Sequence, residues 1–242
     1  MAAKASVTKQ CVYCLRLVPP SDVTDDHVIA RSWYPNDTPP IGKWKAPACS
    51  SCNNRYSAPE KDILGRMAFC MDPAEPALGD IVQQARRAID PRQAKSARDA
   101  IHRSNRREKL RQSVISVHNP DAPGILPSFR SNFSSGSRTG ILIPARPLNA
   151  VIEKWIRGIH YCEFGKPIPT DYDVSIQLVS DENAEEIFGE IIRHAKQIRK
   201  GPGVEVLIWH AEERGEFVAQ YAFNIWNQFR AYGSADSHKP LA

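Results

Sequence analysis

The chain has 242 residues, 42% hydrophobic and 24% charged, with 32 Lys+Arg against 27 Asp+Glu and a formal net charge of +5. This is a globular composition; it excludes a collagen, a coiled coil and a wholly disordered tail. The charge is uneven: residues 1–139 carry 21 Lys+Arg against 13 Asp+Glu, and residues 140–242 carry 11 against 14. A basic front half points to nucleic acid as its partner. No run of ~18 apolar residues occurs, so no transmembrane helix and no membrane partner are expected. The opening MAAKASVTKQ has no apolar core of a secretory signal, so the expected location is cytoplasmic.

Four of the six cysteines form two CxxC pairs, Cys11 with Cys14 and Cys49 with Cys52. A reducing compartment disfavours disulfides. Each CxxC puts two thiolates on one tight turn, and two such turns supply the four sulfurs of a tetrahedral structural zinc site. The 34 residues between Cys14 and Cys49 exceed the ~15–20 of a simple two-knuckle finger. The zinc is therefore expected to close a loop that holds something else. Cys70 follows Phe69 in an apolar stretch and Cys162 follows Tyr161; both read as small buried side chains.

That loop contains Asp25, Asp26 and His27 just before the apolar Val28 and Ile29, and Asn53 and Asn54 directly follow Cys52. Phosphodiester hydrolysis needs a base for water and positive charge for the phosphate. Histidine titrates near neutrality, and a hard cation such as Mg²⁺ takes oxygen ligands. In this combination CVYC, DDHVIA and CSSCNNRYS resemble the zinc-stapled HNH nucleases of the ββα-metal fold. The resemblance covers about residues 11–65. It implies a two-stranded hairpin followed by a helix, with the Asp-His pair at the end of the first strand. His27 would be the general base, and Asp26 and Asn53 would hold a catalytic Mg²⁺ or Mn²⁺. Asn54 and Asp25 are the alternatives one residue away, although strand alternation turns Asp25 to the face opposite Asp26.

One departure from the family stands out. Its middle Asn is missing from Lys43-Trp44-Lys45-Ala46-Pro47, and Lys45 is a candidate phosphate contact there. Ser57-Ala58-Pro59-Glu60 reads as a capping box that starts a helix, with Pro in the first turn. The alternative role for Glu60 is an extra metal ligand or a supporting carboxylate.

Residues 77–117 have helical character, interrupted at Pro91. Between Arg86 and Arg111 ten Lys+Arg face three acids, a balance of +7. Arg103, Arg107 and Arg111 share one helical face, a stripe able to neutralise phosphates. Residues 119–138 are rich in Pro, Ser and Gly and read as a linker.

Beyond it, Thr139–Pro144 reads as a strand and Pro147–Phe164 as an amphipathic helix capped by Gly165. Tyr172–Ser180 alternates as a strand, and a helix is expected from Asp181 to about Lys200. Val204–Ala211 and Phe217–Trp226 form a hairpin. Trp155, Trp209 and Trp226 belong to the core, His160, His194 and His210 are structural, and Ser234–Ala242 is a frayed tail.

The expected fold class is α+β: a zinc-stapled ββα module over 1–70, a basic helical connector over 71–118, a linker over 119–138 and an α+β accessory domain over 139–242. The expected function is metal-dependent HNH-type cleavage of DNA, or of RNA. The alternative is a zinc-stabilised nucleic-acid-binding module with a degenerate nuclease site.

Overall fold

The first cysteine knuckle is framed by two short antiparallel strands, β1 (Lys9–Gln10) and β2 (Leu17–Val18). In this computed structural model residues 8–40, 43–117, 138–179, 186, 188–189, 191–213 and 216–237 are described. The chain next forms β3 (Val23–His27), which pairs antiparallel with β4 (Lys45–Cys49), and β4 runs straight into helix α1 (Ser50–Cys70). The expected strand–strand–helix order is present, and His27 is the last residue of its strand.

Helix α1 starts eight residues earlier than the capping box suggests. Cys49 caps it, its Sγ accepting the Cys52 amide at 3.4 Å, so the second knuckle is itself the helix start. Pro59 lies inside the helix, where it removes one hydrogen-bond donor and leaves the Arg55 carbonyl without its usual partner. Helices α2 (Ile81–Ile89) and α3 (Ala97–Gln112) follow, separated by a short turn at Pro91 as the sequence suggests. The end of that stretch is not helical. Val114–Val117 is a strand, β5, paired with β6 (Arg138–Ile141). Of the expected linker only Arg138, which opens β6, is among the described residues.

Helix α4 (Ala145–Phe164) ends in a left-handed Gly165 at φ 71°, a conformation glycine adopts without a Cβ penalty. The rest is a five-stranded antiparallel sheet in the order β7-β11-β10-β9-β8. Its strands are β7 (Asp173–Leu178), β8 (Lys196–Arg199), β9 (Val204–Glu213), β10 (Glu216–Ile225) and β11 (Phe229–Asp236). Two expectations change here. Residues 186, 188–189 and 191–192 are helical, but Lys196–Arg199 is an edge strand with Ile198 buried. Its pairing with β9 outweighs the helical reading of that run; Asp181, the expected cap, lies outside the described residues. Ser234–Asp236 is not frayed either, because β11 is held between β10 and β7.

The molecule is mixed α+β, and its main core runs from Cys11 to Ala235 without a break at the expected domain boundary. Trp33, from the loop after β3, meets Trp155 of α4 edge-on at 4.8 Å and stacks on Trp226, in the turn between β10 and β11, at 5.3 Å. Trp226 also donates its indole N–H to the Trp33 carbonyl at 3.2 Å. Trp209 is only partly buried, packed on a smaller second cluster. Among the described residues no helix is long and apolar enough to cross a membrane.

Helix α4 has two buried sides. Trp155 and Ile156 face the sheet, where Gly233 gives Ile156 its space. Residues 154, 158 and 162 recur at i, i+4 and i+8 and line the side against the N-terminal hairpin. Gly158 is needed there: a Cβ would lie 2.6 Å from both Val28 methyls. Cys162 Sγ sits 3.4 Å from the Lys45 carbonyl.

Candidate functional site

The four cysteine sulfurs of the two CxxC pairs lie within 4.8 Å of one another, and Cys14 and Cys49 are 3.8 Å apart. Zn–S bonds of ~2.3 Å in a tetrahedron give S···S of ~3.8 Å. The donor set therefore fits a metal ion such as zinc. Burial works against the Cys14 thiolate, but hydrogen bonds led by that from Arg16 hold its pKa down to about 6, toward the form that binds metal. An ion there would cross-link the β1–β2 knuckle to the junction of β4 and α1. Cys70 is buried apart from this cluster, and burial pushes its thiol up to about 12.

On β3, Thr24 and Asp26 face one side, and Asp25 and His27 the other. Asp26 is 6% exposed. Its Oδ2 accepts the Tyr13 hydroxyl at 3.0 Å and is ion-paired at 3.0 Å with Lys154 Nζ. Lys154 comes from α4, is 1% exposed, and was not among the residues the sequence singled out. Its ammonium also contacts Glu60 Oε1 at 2.7 Å and the His27 carbonyl at 2.9 Å. The rings of Tyr13 and Tyr56 lie 5.9 and 5.8 Å from it. Tyr56 and Glu60 reach it from one face of α1, four residues apart. Burial, with Asp26 adding to it and Lys154 opposing it, raises the Glu60 carboxyl to about 7. Of the two roles considered for Glu60, the structure gives it a carboxylate's place beside Asp26, inside a helix rather than at its start.

Asn53 does not join this group. Its amide donates to Thr24 Oγ1 at 3.1 Å, and Thr24 in turn donates to the Ala48 carbonyl at 3.2 Å. Asn54 and Asp25 are exposed, Asp25 on the face alternation assigns it. A divalent ion that keeps several waters needs open oxygen ligands. Asp26 is buried against an ammonium and Asn53 is turned to Thr24, so these residues do not fit that ion.

The other face of the hairpin differs. His27 lies across from Lys45 in the strand pair, and Arg31 and Lys43 are close enough to act on it. Burial lowers its pKa, Lys45 and Arg31 lower it further, and Asp26 only partly offsets them. These effects favour the neutral imidazole, the form able to accept a proton. Lys43 is held in place, donating to the Thr38 carbonyl at 3.0 Å over the Tyr34 ring. Lys45 and Arg31 are exposed.

The arginine stripe of α3 is partly used for packing. Arg103 pairs with Asp99 at 3.0 Å and donates to the Arg87 carbonyl, while the neighbouring Arg106 donates to the Ala88 carbonyl at 2.9 Å. These two arginines satisfy the carbonyls that end α2. Arg111 pairs with Glu108 at 3.2 Å, and Arg107 is exposed. An open cleft of about 870 Å³ lies between α1 and α4, lined by Arg55, Tyr56, Pro59, Arg146 and Glu153 among others.

Comparison with family models, with curated proteins and with solved structures finds no match. The likeness to HNH nucleases rests on this chain's own residues.

Proposed function

We propose that the N-terminal module is an HNH-type nuclease site that hydrolyses phosphodiester bonds in DNA at its His27 face, with zinc in the four-cysteine cluster as a structural staple. The observation that carries the reading is the place of His27 at the end of β3, across the strand pair from Lys45, with Arg31 and Lys43 near enough to act on it. The imidazole takes a proton from the attacking water, and the three cations offset the phosphate charge. Following the HNH resemblance, the water oxygen bonds to phosphorus as the P–O3′ bond breaks, and the departing 3′ oxygen takes a proton from solvent, leaving 3′-hydroxyl and 5′-phosphate ends. Arg107 and the paired Arg111 on α3 are further exposed cations able to meet phosphate. No step is assigned to a divalent ion, because Asp26 is engaged by Lys154.

That same engagement favours a second reading, in which the His27 face binds nucleic acid without cutting it. Incubation of zinc-loaded protein with supercoiled plasmid separates the two. Under the nuclease reading the wild-type chain nicks the plasmid, and His27→Ala loses ~10²–10⁴-fold in rate, the usual share of a general base. Equal cleavage by His27→Ala removes histidine from that role. No cleavage by either, with binding that weakens in Arg31→Ala and Lys45→Ala and a salt slope smaller by about one for each, leaves the binding module.

A further inference from the structure

We propose that Lys154 is the resident cation of the Asp26 site: its ammonium stands where an HNH nuclease would carry its divalent ion, and it makes that ion unnecessary there. The place is inferred from the HNH reading; the occupancy is a matter of geometry. Three oxygens surround Nζ: Glu60 Oε1 at 2.7 Å, the His27 carbonyl at 2.9 Å and Asp26 Oδ2 at 3.0 Å. An ammonium has three N–H donors; the His27 carbonyl and Glu60 accept two of them, and Asp26 is held as an ion pair. Each oxygen comes from a different source: a side chain of α1, the backbone at the end of β3 and a side chain of β3. The two tyrosine rings within 6 Å offer their negative faces to the same charge.

A divalent ion would need the opposite surroundings. Mg²⁺ demands six oxygens at ~2.0–2.1 Å and gives up its waters reluctantly. Around Asp26 the space is taken by the lysine stem, the tyrosine rings and the Tyr13 hydroxyl that already holds Oδ2. Nor is Lys154 a side chain that strayed in. Its helix is brought against the hairpin by the bare Cα of Gly158 over Val28, one turn further along. Paired charges in such a setting hold a definite arrangement even where they add little net stability.

The test is a titration of the zinc-loaded full chain with MnCl₂, without nucleic acid, following free Mn²⁺ by electron paramagnetic resonance. The wild-type chain is expected to retain none at millimolar Mn²⁺. A second arm uses Lys154→Ala, which vacates the place: its lowered melting temperature is expected to recover in part with millimolar Mn²⁺, and not in Lys154→Ala combined with Asp26→Asn. Retention of one Mn²⁺ per wild-type chain that Asp26→Asn releases overturns the proposal. So does a folded Lys154→Ala chain that gains nothing from Mn²⁺. Should Lys154→Ala fail to fold, the wild-type titration still decides. Both arms are read without DNA, so their failure is distinct from failure of the nuclease reading.

Discussion

The two faces of β3 hold positive charge in opposite ways. Behind Asp26 one ammonium is buried and enclosed by two carboxyl groups, a carbonyl and two rings. Around His27, one residue along the strand, Lys45 and Arg31 are exposed and Lys43 is anchored nearby. The first arrangement spends its charge inside the protein; the second leaves it available to a phosphate. Because strand side chains alternate, a single Asp-His dipeptide gives one side chain to a buried ion pair and the other to the partly exposed face beside it.

The largest expected effect removes both faces together. Chelating zinc takes away roughly 10–16 kcal/mol of apparent binding energy typical of such sites, so circular dichroism and thermal melting should show the N-terminal part unfolding. Unchanged melting would mean the cysteine cluster holds no structural metal. Next comes a contrast between the faces. Lys154→Met leaves the buried Asp26 and Glu60 without their cation and should cost ~3–5 kcal/mol in urea unfolding. The exposed Lys45→Met should stay within ~0.5 kcal/mol; similar costs for both would erase the distinction.

A smaller effect probes how α4 reaches the hairpin. Gly158→Ala must push Val28 or the helix aside, and overpacking of this kind costs ~1–3 kcal/mol, read as a lower melting temperature. The last is a slope, whose effect at any one pH is smaller. Folding raises the Glu60 carboxyl from 4.5 to about 7, chiefly by burial, so the folded state holds this proton more tightly than the unfolded chain. Its contribution is complete below pH 4.5 and declines as pH rises toward 7, by no more than ~1.4 kcal/mol per unit. Glu60→Gln should flatten that part of the stability–pH curve; an unaltered curve would place the Glu60 titration elsewhere.

Much of the local order was legible. The CxxC pairs, the α4 helix with its glycine cap and the β9–β10 hairpin follow from spacing and periodicity, and the strand–strand–helix order was expected only from the HNH resemblance. The failures are of one kind. The start of α1 depends on a cysteine sulfur acting as a cap, and the edge strand β8 on a partner several residues downstream. β11 went unseen because its turn uses positive φ at Trp226 and Asn227, where glycine would have been the visible signal. Lys154 left a faint mark, a lone cation among Val151, Ile152 and Trp155. Periodicity alone cannot tell that a carboxylate from β3 and another from α1 wait on that side of the helix. The stripe of α3 shows the converse: its spacing was right, but spacing does not reveal that Arg103 and Arg106 are occupied by the end of α2.

The contact of Trp33 with Trp155 and Trp226 has an optical consequence. These indoles come from the loop after β3, from α4 and from the β10–β11 turn, with Trp33 standing 4.8 Å from one and 5.3 Å from the other in the shared core. At such separations aromatic transitions couple, so the near- and far-ultraviolet dichroism of the folded chain carries a signal that no isolated piece of it can produce. The molecule thus contains its own gauge of whether its cysteine-bearing front and its sheet-bearing back are assembled.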